Sequence, residues 1–336
     1  MCRRKSRIRA LTLFLVMILM LGGLTGCGRS RETANIRIGS LKGPTSMGIL
    51  FLMDKAEKGE TEDAYEFRMT TGADGLLPLM VKGELDIALI PANMAAVLYQ
   101  QTDGGIAVID INTLGVLSIV TGSSEIKSVA DLKGRTIYLT GKGTTPEASL
   151  RYVLEANGFT AADYTLEYKS EAAEVAAVLA EEPEGIGLLP QPFATAALMQ
   201  NQELKIVLDM NEEWIRADLE LNGGSTSGMV TGVTVVRRKF LEEHPEAVEA
   251  FLEEHALSVD AINSDTAAGA ALAAAAGIVP KEAIAEKSIP LCHITCITGE
   301  EMKADLSAYL EVLANLDKAL VGGRVPEEDF YWTGTH

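Results

Sequence analysis

The chain has 336 residues, and its 29 Lys and Arg against 47 Asp and Glu give a net charge of −18 at pH 7. Removing the five basic residues of the first 26, a segment without acids, takes the net charge from −18 to −23. Nucleic acids require a basic surface, so such an anionic chain is not expected to bind them. Anionic lipid surfaces would repel it for the same reason.

The N-terminal segment has the order of a lipoprotein export signal. Five basic residues lie between Arg3 and Arg9, residues 10–21 are apolar but shorter than a membrane span, and the sequence LTGC ends at Cys27. This pattern predicts a signal peptide over residues 1–26, acylation of Cys27 and a polar linker over residues 27–35. The mature protein would be lipid-anchored at the extracytoplasmic face of the membrane. An ordinary secretory signal with an incidental cysteine is the alternative.

Two cysteines, Cys292 and Cys296, fall in the mature chain outside this segment. An extracytoplasmic location permits a disulfide between them, and a free buried pair is equally compatible with the sequence. The intervening His293 also allows a metal loop, although three ligands fall short of the four that structural zinc takes. No cofactor is expected.

The first predicted strand, residues 36–39, is followed by a loop that has the chemistry of an anion site. A helix over residues 49–58 comes next. Glycine permits close backbone approach, proline suits the first turn of a helix, and a hydroxyl can cap it. Free backbone N–H groups at such a turn bind carboxylate, sulfonate or phosphate. The candidate ligand-binding residues are Lys42, Gly43, Pro44, Thr45 and Ser46.

Two further strand–loop–helix units follow. Residues 65–69 alternate as a strand that ends before Thr71 and Gly72, and residues 76–81 are helical. Residues 85–90 form a short apolar run typical of a buried strand, which a polar turn at Asn93 separates from a helix. Ligands bind beyond the carboxyl ends of strands in such sheets, so Thr71, Gly72 and Asn93 join the candidates.

The next segment carries a family resemblance. Apolar β-like runs cover residues 106–112 and 114–121, and a capped DLKG turn over residues 128–134 precedes the strand 136–139. The sequence TGKGTTPE, residues 140–147, then opens a helix and supplies Gly141, Lys142, Thr144 and Thr145 as candidates. This assembly resembles the substrate-binding proteins of ABC importers, in the group for nitrate, sulfonate, taurine and thiamine-pyrimidine precursors.

The resemblance implies an α/β fold of the two-lobed periplasmic-binding-protein type (type II), with two open mixed sheets joined by two crossover strands. Residues 114–121 would be the outward crossover and residues 231–236 the return. Lobe I would comprise residues 36–115 and 230–336, and lobe II residues 116–229. Helices after residue 246 would pack mostly against lobe I and supply apolar faces rather than ligands. Thr121, Gln191 and Thr226 are further candidates, Thr226 in a loop that is alternatively a mobile surface loop.

No catalytic motif accompanies these features. The Gly-Lys-Gly turn at Lys142 lacks the spacing of a phosphate-binding P-loop, no histidine pair has helical ligand spacing, and no Gly-x-Ser-x-Gly elbow occurs. We therefore expect a monomeric binding protein that captures a small polar or anionic solute by hinge closure and delivers it to a membrane permease. The alternatives are an enzyme on the same fold, such as a menaquinone-pathway dehydratase, and a sensor that presents its ligand to a membrane receptor.

Overall fold

The computed structural model describes residues 33–72, 75–224 and 228–334. One compact unit begins at Ala34. The predicted signal peptide, Cys27 and Thr226 lie outside the described residues. Among the helices that the structure describes, none has both the length and the hydrophobicity needed to cross a membrane.

The described strands form two mixed sheets. The first has six strands in the order β11-β4-β10-β3-β1-β2, and the second has five in the order β7-β6-β8-β5-β9. The strands are β1 Asn35–Leu41, β2 Ala64–Thr70, β3 Ile87–Pro91, β4 Ile106–Thr113, β5 Leu117–Thr121, β6 Thr136–Leu139, β7 Thr165–Tyr168, β8 Ile186–Pro190, β9 Lys205–Asp209, β10 Gly232–Arg237 and β11 Ile294–Ile297.

Helices connect these strands and cover the sheets. They are α1 Leu50–Lys58, α2 Leu77–Lys82, α3 Ala92–Gln101, α4 Thr145–Ala156, α5 Ala172–Glu181, α6 Phe193–Gln200, α7 Met210–Asn222, α8 Arg238–Glu243, α9 Pro245–Ser264, α10 Thr266–Ala275, α11 Glu282–Ser288 and α12 Gly299–Leu316. The α/β fold with two open mixed sheets is therefore confirmed.

The strand β3 and the helix α3 show how the apolar pattern determines the layers. Ile87, Leu89 and Ile90 are fully buried because helices cover both faces of the sheet. The break that follows is shorter than predicted, because Pro91 is the N-cap of α3 and the helix begins at Ala92. Asn93 consequently lies in the first turn of α3 instead of in a loop.

The links between the two sheets are shorter than the predicted crossover strands. Residues 117–121 form β5 of the second sheet, so the outward link contains only residues 114–116. The predicted return, residues 231–236, is largely β10 of the first sheet, so the return link precedes Gly232 and includes Met229. Sheet membership agrees with the predicted lobes, since β5 to β9 supply the second sheet and all other strands the first. The lobe boundaries themselves remain a proposal.

One side chain holds both links. Oδ1 of Asn211, at the start of α7, accepts hydrogen bonds from the backbone N–H of Gly115 at 3.2 Å and from that of Met229 at 2.8 Å. A Cβ at Gly115 would lie 2.6 Å from Cβ of Asn211, so only glycine lets this link approach the helix so closely.

The C-terminal helices contact more than the first sheet. Helix α12 packs on α3 and β4, and also on α4 of the second sheet. Helix α11 packs on α6, which follows β8 of the second sheet. These helices were expected to pack mostly against lobe I, and two of them, α11 and α12, also contact helices of the second sheet.

Candidate functional site

The carboxyl ends of parallel strands from both sheets meet at a cleft. In the first sheet β1, β2 and β3 are parallel, and in the second β6 is parallel to β7 and β8. Residues that follow β1, β3 and β8 line two cavities at these ends. This is the position in which open α/β sheets bind ligands.

Cavity one has a volume of about 540 Å³ and lies between the loop after β1 and the turn after β8. Its lining is mostly apolar, with several alanines and prolines. Its lining includes Lys42, Gly43, Pro44, Gln191, Phe193 and Ile284.

Cavity two has a volume of about 480 Å³ and lies between the start of α3 and the start of α4. Hydroxyl and amide groups line it together with methionines and prolines. The polar lining residues are Asn93, Thr144, Thr145, Ser149, Thr231 and Tyr309. Burial raises the pKa of Tyr309, so its hydroxyl is a neutral donor at physiological pH.

The two cavities share two lining residues, Val116 and Pro190. Val116 belongs to the outward link between the sheets, and Pro190 is the last residue of β8. The backbone N–H of Gln191 donates to the carbonyl of Val116 at 2.8 Å, which fixes this boundary. Any change in the link would therefore alter both cavities.

Two side chains that line cavity one carry donors with no partner among the residues that the structure describes. The ammonium of Lys42 forms no ion pair there, and Lys42 is exposed. The side chain of Gln191 is 1 % exposed, and its Oε1 accepts from the hydroxyl of Thr195 at 2.7 Å, whereas its Nε2 has no hydrogen-bond partner. A buried donor of this kind costs about 1–3 kcal/mol unless an acceptor satisfies it.

Seven of the candidate residues line these cavities. Four are in cavity one and three in cavity two, and they come from positions directly after strands or at helix starts. They are Lys42, Gly43, Pro44 and Gln191 in cavity one, and Asn93, Thr144 and Thr145 in cavity two.

Thr45 and Ser46 lie beneath the cleft instead. Both are buried in a short 3₁₀ turn, Pro44–Ser46, and neither caps a helix with its side chain. The hydroxyl of Ser46 donates to the carbonyl of Leu41. The capping role predicted for these two residues is therefore wrong.

The remaining candidates that the structure describes line neither cavity. Thr71 and Gly72 are exposed beyond β2, at the edge of the first sheet. Gly141 accepts a hydrogen bond from the hydroxyl of Thr144 at 2.6 Å, and Nζ of Lys142 lies 5.4 Å from the ring centroid of Tyr168.

Thr121 lies at the end of its strand that is away from the cleft. Strand β5 runs antiparallel to β8, so Leu117 pairs with Pro190 at the cleft and Thr121 lies at the opposite end. There its hydroxyl accepts from the N–H of Ser123 at 3.1 Å. Because β5 runs antiparallel to β8, the carboxyl end of β5 points away from the cleft, and Thr121 lines neither cavity.

Sequence analysis missed the apolar part of the lining. Val116, Met229 and Tyr309 come from the links and from α12, while Phe193 and Ile284 come from α6 and α11. No local sequence pattern distinguishes these residues, because an apolar residue that lines a cavity looks the same in the sequence as one in the core.

Cys292 and Cys296 are free thiols in the structure, so the disulfide alternative is not realised there. Cys292 is buried among apolar side chains, and burial raises the pKa of its thiol to about 12. His293 does not join them, since its Nδ1 lies 2.5 Å from the carbonyl oxygen of Gly115. The three residues therefore do not form the metal loop that the sequence allowed.

The fold and its cleft define a two-lobed receptor of the periplasmic-binding-protein type. A family model described as ABC transporter, phosphonate, periplasmic substrate-binding protein matches residues 58–252, which is more than half of the chain. The chain therefore belongs to this family of substrate-binding proteins, which bind a small solute and interact with a membrane permease. No curated protein gave a significant match.

Solved structures share the fold. An ABC transporter protein from Parabacteroides distasonis is 23 % identical, with a TM-score of 0.73 over 88 % of this chain and 98 % of that one. The periplasmic aliphatic sulphonate binding protein SsuA from Escherichia coli is 18 % identical, with a TM-score of 0.71 over 90 % and 94 %. The alkanesulfonate-binding protein SsuA from Xanthomonas axonopodis pv. citri, bound to MOPS, is 18 % identical, with a TM-score of 0.60 over 88 % and 96 %.

Proposed function

We propose that this protein captures a small organic anion with an apolar body in its cleft and delivers it to an ABC permease. The observation that carries this proposal is the lining of cavity one. There the cation Lys42 and the free amide donor of Gln191 are set in an otherwise largely apolar wall.

The apolar wall determines the body of the solute. Cavity one is built largely from alanine, proline, phenylalanine and isoleucine side chains, which offer contact area but few hydrogen bonds. Apolar area removed from water contributes about 25 cal/mol per Å². A solute that is polar throughout would lose its hydration without replacement, so we narrow the expected small polar or anionic solute to one that has an alkyl or aryl part.

The two donors determine the head group. An anionic oxygen can accept from the ammonium of Lys42 and from Nε2 of Gln191, whereas a cationic head would meet two donors and no carboxylate. Neither cavity is lined by Asp or Glu, even though the chain as a whole is acidic. Sulfonates, phosphonates and carboxylates all meet this requirement, and the aliphatic sulphonates named for a structural neighbour belong to the same class.

Neither cavity is lined by Cys or His, which supports binding without chemical conversion of the solute. The sequence LTGC that ends at Cys27 supports anchoring of the mature chain at the extracytoplasmic face, where it can reach a permease. Capture as a monomer by closure of the two sheets about their links is the accompanying conformational change.

Calorimetric titration with four compounds of equal chain length tests the solute class. We expect butane-1-sulfonate, butylphosphonic acid and valeric acid to bind at least about tenfold more tightly than butan-1-ol, because a hydrogen bond to a charged group contributes about 1.5–3 kcal/mol. Small-angle scattering should show a smaller radius of gyration with the bound anion. Equal affinity for the neutral alcohol would contradict the anionic head, and binding without compaction would contradict closure.

A further inference from the structure

A second cluster of ligating side chains lies inside the protein, apart from both cavities. It consists of Asp110 on β4, His255 on α9 and Cys296 on β11, and one ligating atom of each lies within 4.8 Å of the others. Asp110 and His255 are 0 % exposed, whereas Cys296 is half-buried. None of the three lines cavity one or cavity two.

Asp110 and His255 form a buried polar pair with few other partners. Among the described residues, the only ion-pair partner of the Asp110 carboxylate is His255, whose Nδ1 lies 3.3 Å from Oδ2. The other ring nitrogen of His255, Nε2, has no hydrogen-bond partner in the part of the chain that the structure describes. Buried polar groups that are incompletely paired are costly in the interior of a protein, and a cation bound between them offsets the charge of the carboxylate.

The spacing of the three groups is that of ligands around one ion. Nitrogen and oxygen ligands bound tetrahedrally to zinc at 2.0–2.1 Å lie roughly 3.3 Å apart, and a sulfur ligand lies roughly 3.6 Å from either. The observed distance between Nδ1 of His255 and Oδ2 of Asp110 is 3.3 Å, which already equals the spacing of a nitrogen and an oxygen ligand. The ligating atoms of the three residues all lie within 4.8 Å of one another. Bringing the thiol of Cys296 to ligand distance therefore requires a shift of at most about 1.2 Å at that side chain.

The carboxylate of Asp110 is also held from behind. Its Oδ1 accepts from the hydroxyl of Thr234 at 2.9 Å, and that hydroxyl in turn accepts from Nδ2 of Asn112 at 3.2 Å. This leaves Oδ2 directed towards His255. Partners of this kind orient the ligands in metal sites.

We propose that Asp110, His255 and Cys296 bind a divalent cation of the zinc class. A thiolate, an imidazole and a carboxylate are the ligand set of zinc, not of calcium or magnesium, which prefer oxygen ligands only. A thiolate and a carboxylate together neutralise the two charges of the ion, so the buried site has no net charge. The partly exposed side of Cys296 provides the route of entry.

Cobalt(II) titration of the full chain, purified in detergent with a chelator that is then removed, tests this site. We expect one cobalt per chain, a thiolate-to-cobalt charge-transfer band in the near ultraviolet, and displacement of the band by zinc. Cys296→Ser should abolish the band. The matched control Cys292→Ser, which removes the neighbouring buried thiol, should retain it. Absence of the band in the wild type, or its persistence in Cys296→Ser, would overturn the proposal.

Two variants that keep the shape of the core provide a second test. Thr234→Val removes a support of Asp110 and no ligand, and should weaken zinc binding about 10–100-fold. Asp110→Asn should remove the rise in melting temperature that zinc causes in the wild type. An equal rise in wild type and Asp110→Asn, or unchanged zinc affinity in Thr234→Val, would show that zinc binds elsewhere.

Discussion

Two lysines each follow a parallel strand, Lys42 after β1 and Lys142 after β6, and only Lys42 lines cavity one or cavity two. Lys42 comes directly after β1 and lines cavity one. Lys142 comes three residues after β6, and its ammonium lies against the face of the Tyr168 ring. The difference comes from the loop, because in the second sheet the chain turns through Gly141 and Gly143, both with positive φ, before α4 begins.

Lys42 and Lys142 provide a matched test of the anionic head group proposed for the solute. Lys42→Gln should lower the affinity for butane-1-sulfonate about 10–100-fold, since it removes a charged donor that contributes about 1.5–3 kcal/mol. Lys142→Gln removes the same charge from the chain and should change the affinity less than about twofold. Calorimetric titration of both variants measures the difference. Equal losses would point to a general effect of net charge.

The polar part of the cleft was accessible to sequence analysis because it follows strands. Gln191 directly follows β8, and Pro44 and Asn93 lie within three residues of their strands. Thr121 also ends a strand, but the local sequence pattern does not show whether that strand is parallel or antiparallel to its neighbours. Nor does it reveal that the hydroxyl of Ser46 turns inwards to a backbone carbonyl. Direction and side-chain partner both depend on elements distant in sequence.

At the scale of the element, one carboxylate joins three strands at the edge of the first sheet opposite the cleft. Asp86, 2 % exposed and just before β3, accepts from Arg37 of β1 at 2.8 and 2.7 Å and from Arg237 of β10 at 2.7 Å. Burial by itself would raise the pKa of Asp86, but the bonds from Arg37 and Arg237 outweigh it and hold the pKa below its usual value.

This depressed pKa makes stability depend on pH in a defined window. Because the folded pKa lies below the unfolded one, the contribution of Asp86 is complete above pH of about 4 and is lost as the pH falls through the folded pKa. Asp86→Asn should lower the free energy of unfolding at pH 7 by roughly 1.5–3 kcal/mol and flatten its decline below pH 4. Urea unfolding from pH 7 to pH 2.5 measures both effects.

The control for this prediction is Asp54→Asn, on the exposed face of α1. Asp54 pairs with Lys58 one turn away, and such solvent-screened surface pairs contribute little to stability. A loss at Asp86 no larger than at Asp54 would show that the three-strand contact is not a source of stability.

The links between the sheets depend on a different polar contact. Asn211→Ala leaves the buried N–H groups of Gly115 and Met229 without an acceptor, and should lower the free energy of unfolding by about 2–4 kcal/mol. Asn201→Ala removes one bond, to the N–H of Glu203 in an exposed turn, and should cost less than about 1 kcal/mol. Denaturant unfolding measures the loss of free energy of unfolding in both variants. Similar losses would contradict a special role of Asn211.

Strands, helices and turns were predicted more reliably than the contacts between them. The apolar run that became β3 and the capped turn at Ser128, whose side chain and that of Asp131 form a capping box, are both encoded locally. The bonds from Asn211 to the links were not predictable, because they join residues 96 and 18 positions apart in sequence.

At the scale of the whole molecule, the proposed attachment to the membrane depends on Cys27, which lies outside the described residues. Cys27→Ser removes the thiol that would be acylated, and the burial of acyl chains contributes about 0.8 kcal/mol per methylene. We expect this variant to move from the membrane fraction to the soluble fraction on cell fractionation. Cys292→Ser should stay with the membranes. Retention of Cys27→Ser in the membrane fraction would contradict the lipid anchor.

The strand order of the two sheets has a consequence for biosynthesis. All strands of the second sheet lie between Leu117 and Asp209, so this sheet can assemble while the ribosome is still translating the rest of the chain. The first sheet lacks β10, which lies between β3 and β4, until Arg237 has been made. Before that point β1, β2 and β3 can pair with one another, whereas β4 has no partner in the sheet. The first sheet can therefore be completed only after every strand of the second sheet has been made.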